Sequence, residues 1–353
     1  MTLNLFASAV LMLLAVITSI GTVRSMASHT AGALTDQHMG TSSSPTDTLI
    51  RRTIVAAALT LVTLAVSGLH LFITHLPGWL ADEWLRALLI TPVMFYSAYA
   101  IHINGWQALI QRRPNLQSLV SLCTIAAYAY SLIVCCVGDQ LPEPLQSTYF
   151  EFVGVTITLV LSAVLMERAW LPAKGTPQLQ RTVNRISRVL VPIVLLIAMW
   201  TFVVWEVFGP QPALVRALVT AISVLAVSCP CALAWACPLP VSIALGMMQR
   251  HGMQPELPSH PDSSQPTSSQ PASAQPTCDL ERLTHRVRIT VRVNIALVLM
   301  FNIVAIPIAA GVLYPWLGWM FNPMLASIAM IAPCVAVALC SLTVRLFRFT
   351  PQQ

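Results

Sequence analysis

Cys229 and Cys231 flank Pro230 in the stretch Ser228 to Pro238, which reads S-C-P-C-A-L-A-W-A-C-P. Thiolates are soft ligands, and a pair of them selects Cu(I), zinc or a cluster over a hard cation. The plain alternative for such a pair is packing beside a kinked helix. Two thiols separated by a single proline are rarer than that alternative needs, and their surroundings favour a metal site.

Those surroundings are apolar. The pair lies in a 34-residue run, Ala213 to Gly246, whose only charge is Arg216. As one straight helix at about 1.5 Å per residue the run would overshoot a bilayer core of roughly 30 Å. Pro230, Pro238 and Pro240 forbid that: each removes a backbone donor and crowds the preceding turn. Broken backbone at membrane depth is tolerated only where protein buries it or where it lines a site. The expectation is therefore an interrupted span with two thiols at the interruption.

The whole chain fits such a setting. Its 353 residues are 56% hydrophobic and 9% charged, which marks an integral membrane protein of the all-α, polytopic kind. Nine apolar segments are long enough to span, near 3–22, 53–75, 87–107, 118–137, 148–166, 189–208, 213–246, 289–313 and 321–343. The first has no Lys or Arg before it and Arg24 behind it, the charge order of an uncleaved anchor. With the N-terminus outside and the C-terminus cytoplasmic, 17 of the 19 Lys and Arg fall inside, leaving Arg86 and Arg216 outside. That asymmetry sets the expected orientation in an inner or plasma membrane. The basic balance implies contact with membrane lipids; no basic patch with interleaved aromatics points to nucleic acid. Nor do the nine cysteines read as a disulfide framework, since most lie within or near spans. Met26, His29, His38 and Met39 sit in a polar linker, read as disordered chain rather than a metal collector.

Several further stretches carry a resemblance. Thr91-Pro92-Val93 opens one span and Pro114 to Ser131 begins the next; Tyr149-Phe150-Glu151 opens a third, closed by Met166-Glu167-Arg168. Asn294 to Tyr314 and Pro323 to Val344 form the last two spans. Together with C-P-C-A-L, and in this order, they resemble the membrane part of heavy-metal P-type ATPases of the copper(I) branch. The resemblance covers roughly 53–170, 175–253 and 285–346. With the anchor and linker over 1–52 ahead of it, the resemblance implies four core spans over 53–170, a join at 171–188, and two spans with the cysteine pair over 189–253. A Pro/Ser/Gln-rich linker at 254–284 and two spans over 285–353 follow.

The resemblance also implies a ligand set. In the family a Tyr-Asn pair on the penultimate helix joins the two cysteines; here the matching residues are Phe301 and Asn302, so the amide remains and the phenol is gone. The family's last helix offers a methionine and, three residues on, two serines; here stand Met330, then Pro333 and Cys334, a thiol for a hydroxyl. At the cytoplasmic mouth the family uses Met, Glu and Asp. The matching residues are Leu116, Glu167 and Asn184, so only the Glu167 carboxylate survives. Glu151 matches the carboxylate on the release side. Ser97-Ala98 replaces a Gly-Gly kink that serves copper chaperones, which puts a copper donor or acceptor protein in question.

The family's motor is missing. Its actuator domain would sit between Leu171 and Gln180, and its phosphorylation and nucleotide domains between Gln254 and Thr277. Neither join can hold a domain, which needs roughly 50 residues or more. None of the six aspartates (Asp36, Asp47, Asp82, Asp139, Asp262, Asp279) precedes Lys-Thr, and no Gly-rich phosphate cradle exists. The expectation is a Cu(I)-binding membrane protein that neither uses ATP nor acts as an enzyme by itself. Two alternatives stand beside it: a scaffold or regulator with an idle inherited site, and the membrane subunit of a split pump whose ATPase domains are separate chains.

Overall fold

The computed structural model of the chain describes residues 45–72, 82–138, 146–170, 177–229, 231–250, 276–314 and 323–346. The anchor expected at 3–22, the Met/His linker, most of the Pro/Ser/Gln-rich linker and Pro230 itself lie outside the described residues. Among those described there is no strand, and the fold is an all-α bundle.

In chain order the helices are α1 (Pro45–Phe72), α2 (Glu83–Pro92), α3 (Tyr99–Ile110), α4 (Leu116–Val137), α5 (Phe150–Trp170), α6 (Pro177–Phe208), α7 (Ala213–Val227), α8 (Cys231–Ala236), α9 (Pro238–Arg250), α10 (Pro276–Ala309) and α11 (Pro323–Leu342). A π-helical segment, Val93–Ser97, joins α2 to α3, and a 3₁₀ turn, Thr343–Leu346, follows α11. Seven helical stretches are long and apolar enough to cross a membrane, eight if the bent α2–α3 unit counts as one span. The chain is thus a multi-pass membrane protein, and eight of the nine expected spans have a counterpart.

Three boundaries correct the expected ones. Helices α1, α6 and α10 begin at Pro45, Pro177 and Pro276, well before the apolar runs at 53, 189 and 289. Hydropathy sees only the apolar part, whereas a helix continues through polar turns such as Arg282–Arg292 because its hydrogen bonds close internally. The run Ala213 to Gly246 is three helices, α7, α8 and α9, as its prolines require. The bend at Ser97-Ala98 persists without glycine: the axes on either side meet at 60°. Pro92 enters the π segment and the Ala98 N–H reaches back to the Val93 carbonyl, so the turn is made by a widened helix rather than by glycine's freedom.

Helix α5 is the axis of the bundle. In its 18-residue apolar window 83% of residues are buried, against 28% for α6, whose Trp200 and Phe208 face outward. Small residues let its neighbours come close. A Cβ on Gly154 would stand 2.8 Å from the side chain of Thr60 on α1 and 2.9 Å from Ile90 on α2. The short helix α8 packs against α5, α10 and α11 together, which puts the interrupted span in the middle of the bundle.

Candidate metal centre

The interruption is held by side chains from three helices. Helix α7 ends as the Ser228 hydroxyl turns back to the Val224 carbonyl at 2.6 Å. The chain resumes as helix at Cys231. Trp235 on α8 donates its indole N–H to the Leu159 carbonyl of α5 at 2.9 Å. At the far end of α8 the Asn294 amide of α10 donates to the Ala236 carbonyl at 3.2 Å and to the Ser341 hydroxyl at 3.0 Å. In an apolar medium a freed backbone carbonyl must find a donor, and here Asn294 supplies one. Sequence reasoning passed over Trp235 and Asn294. An indole and an amide inside apolar spans were the available signal, because each needs a partner there.

Cys229 and Cys231 face one another across the break, with Cα atoms 5.6 Å apart and their sulfurs joined as a disulfide. A one-residue spacing across a helix break brings the two Cβ vectors together, and that convergence serves a shared metal ion or a bond. Soft-metal ligation requires the reduced, deprotonated pair.

The donors on other helices arrive as follows. Met330 on α11 is buried, and its thioether accepts a hydrogen bond from Thr156 of α5, Oγ1 to Sδ 3.3 Å. The same Thr156 oxygen stands 4.0 Å from Cys229 Sγ. Thr156, which sequence reasoning did not single out, therefore links the cysteine pair to Met330. Cys334 lies one turn beyond Met330 on the same face of α11 and is buried. Asn302 on α10 is buried, and its Nδ2 finds no hydrogen-bond partner among the described residues. Beside it Phe301 is half-buried against the core. Among the described residues no three His, Cys, Asp or Glu side chains form a ready-made cluster. A donor set here must therefore draw on the thioether and the amide.

The two carboxylates sit at opposite ends of α5. Glu167 lines a cavity of about 470 Å³ between α3, α4, α5, α8 and α9. The walls carry the carboxamides of Asn104, Gln107, Gln111, Asn115 and Gln117, with Leu116, Leu233 and Cys237. The cavity runs from Glu167 to Leu233, two residues past Cys231. The side chain of Asn184 lies outside the described residues. Glu151, at the other end, accepts from the Ser67 hydroxyl and pairs with Arg86 at 3.5 Å. Arg86 also reaches Glu83 at 3.1 Å, and Thr148 donates to Glu83 at 2.8 Å.

The fold is a helical membrane bundle with a cysteine pair at an interrupted central span. The comparisons agree. The chain is 41% identical over 75 residues to a copper-exporting P-type ATPase of Legionella pneumophila, a match covering 21% of this chain and 10% of that protein. It is 39% identical over 75 residues to a silver exporting P-type ATPase of Salmonella typhimurium, covering 21% and 9%. With a copper-exporting P-type ATPase of Staphylococcus aureus strain Newman it shares 32% identity over 116 residues, 32% of this chain and 14% of that one. No family model matches the sequence. The chain is thus related to heavy-metal P-type ATPases, and its matches span only about a tenth to a seventh of those relatives' length.

Proposed function

We propose that the chain binds one Cu(I) at Cys229 and Cys231, with Met330 and the Asn302 amide completing the site and Cys334 held in reserve one turn away. The observation that carries this is the convergence of the cysteine pair and Met330 about Thr156 at the break of the central span. Two thiolates and a thioether suit a soft monovalent ion, whereas zinc seeks four ligands. The amide-lined cavity reaching from Glu167 toward Cys231 supports loading from that end. The copper and silver in the relatives' names are of the same soft class. In this proposal the ion is carried or handed to a partner protein without ATP hydrolysis by this chain, because the two short joins lack room for a motor. The basic residues support placing the Glu167 end in the cytoplasm.

The joined sulfurs favour a second reading, in which the pair is structural and the chain is a scaffold or a subunit that works with separate ATPase domains. Copper competition separates the two. Reduced protein in lipid, titrated with Cu(I) against a chelator of known affinity, should take up one equivalent. Cys229→Ser with Cys231→Ser should weaken binding by more than about 100-fold, beyond the loss expected for a residue that only supports a ligand, while melting stays cooperative. If the double variant binds as the parent does, the metal site lies elsewhere. Purified protein with Cu(I) and Mg-ATP should release phosphate no faster than a blank.

A further inference from the structure

At the end of the bundle that holds Glu167, helix α3 shows three different faces. Ile101 and Gly105 are buried, and the Ser118 hydroxyl of α4 donates to the Gly105 carbonyl at 2.8 Å. Asn104, Gln107 and Gln111 line the cavity beside Glu167. Tyr99, Ile103, Trp106 and Ile110 are exposed and fall at helical spacing, so they form one outward stripe. A helix buried on one side, polar on a second and apolar on a third suits the plane of a membrane surface. The 60° bend between α2 and α3 turns the chain toward that plane.

The stripe continues back onto Tyr96, and there it meets a charge. The guanidinium of Arg52 on α1 lies over both rings, its Cζ 5.6 Å from the centre of Tyr96 and 5.8 Å from that of Tyr99. Arg52 is only partly exposed, and its Nε is buried without a hydrogen-bond partner among the described residues. Asp47, in the first turn of α1, stands at helical spacing from Arg51 and on a different face from Arg52. Arg52 comes early in the apolar stretch Asp47–Leu69, about 8 Å from its start and so near the edge of the hydrocarbon. Ile54 on α1 and Phe95 in the π segment are exposed close by in the chain.

We propose that Arg52, clasped by Tyr96 and Tyr99, is a site for the phosphate of an anionic phospholipid headgroup. Contact with two rings holds the guanidinium in place and shields it from water, which strengthens its grip on an anion. Its fork of N–H donors matches phosphate oxygens. The exposed apolar side chains supply a surface that acyl chains cover and that a dissolved phosphate leaves bare. A membrane-bound anion is therefore the ligand that fits. Because Arg52 belongs to α1 and the two rings to the bend, a lipid held there also braces one against the other. The site is separate from the cysteine pair and asks nothing of it.

The test uses the full chain in lipid discs of phosphatidylcholine, with and without phosphatidylglycerol. Native mass spectrometry counts the lipid retained, and thermal melting follows stability. The parent should retain phosphatidylglycerol preferentially and melt higher when it is present. Arg52→Ala should weaken that preference by more than about tenfold, beyond the roughly fivefold expected of any basic residue near a charged surface. Arg51→Ala, one residue away, should stay within that roughly fivefold loss. Arg52→Lys should recover only part, because an ammonium lacks the planar fork. Tyr96→Leu with Tyr99→Leu keeps the apolar stripe and removes the ring faces, and the preference should fall roughly three- to tenfold. Equal losses in Arg52→Ala and Arg51→Ala overturn the site in favour of general surface charge, and a parent indifferent to phosphatidylglycerol overturns it outright. Equal stabilisation by inorganic phosphate in phosphatidylcholine discs assigns Arg52 to a dissolved anion instead of a lipid. Self-association that Arg52→Ala abolishes assigns the surface to a second copy of the chain. If Arg52→Ala does not fold, Arg52→Lys and the tyrosine double variant carry the same comparison.

Discussion

The two ends of α5 carry the same side chain and treat it oppositely. Glu151 is enclosed: Ser67 donates to it from α1, Arg86 pairs with it from α2, and Glu83 and Thr148 complete the group. Glu167 opens on a cavity lined by five carboxamides and Cys237. A guanidinium cannot give up its charge and brings fixed forked donors, so the first carboxylate is committed to protein. Carboxamides are neutral and adaptable, so those walls bring the second carboxylate no fixed charge. The resemblance treats Glu151 and Glu167 as the two doors of one path; in the structure one is tied to Ser67 and Arg86 and the other lines a cavity.

Three variants sharpen or break this contrast. Arg86→Ala has the largest expected effect, because it strands Glu151. Breaking a fully buried pair costs about 3–5 kcal/mol, but both partners here keep some exposure, so about 2 kcal/mol is expected. Thermal melting in lipid reads it, and adding Glu151→Gln should restore part of the loss. An unchanged melt would mean that the pair fastens nothing. Glu167→Gln should leave stability within about 0.5 kcal/mol, because the amide matches the carboxylate in shape and faces the cavity. It should instead slow Cu(I) loading by about tenfold, the low end of the range for a charge that steers an ion. Stopped-flow loading at low and high salt checks this, and a loss of stability in place of rate would assign Glu167 to packing. Ser67→Ala should cost about 1 kcal/mol, the removal of one hydrogen bond at a site that Arg86 still holds. A cost larger than that of Arg86→Ala would reverse the order of importance at the closed end.

Much of the bundle was legible because the bilayer allows few solutions. Apolar runs near the membrane thickness located the spans, and the prolines around Cys229 and Cys231 announced the break that separates α7, α8 and α9. Less legible were the polar continuations of α6 and α10, which no hydropathy window registers. The sequence showed that Ser97-Ala98 lacks the family's glycines, but not that Pro92 and a widened helix make the bend there. Glu151 could be named from its neighbours Tyr149 and Phe150, but not its pairing with Arg86, 65 residues earlier.

By itself, then, the sequence determined the class of molecule and the chemistry available to it. Composition dictated a membrane bundle, and two thiols about a proline dictated soft donors at a helix break. Both are local properties, since hydrophobic length, proline geometry and sulfur's softness act through a residue and its near neighbours. Tertiary structure alone decided which side chains meet across helices and which carboxylate lines a cavity. Thr156 meets Met330 across 174 residues of chain, and Asn294 meets the Ala236 carbonyl across 58. Such meetings follow from how helices pack side by side, and packing depends on the shapes of all the helices at once. No spacing along one of them records it.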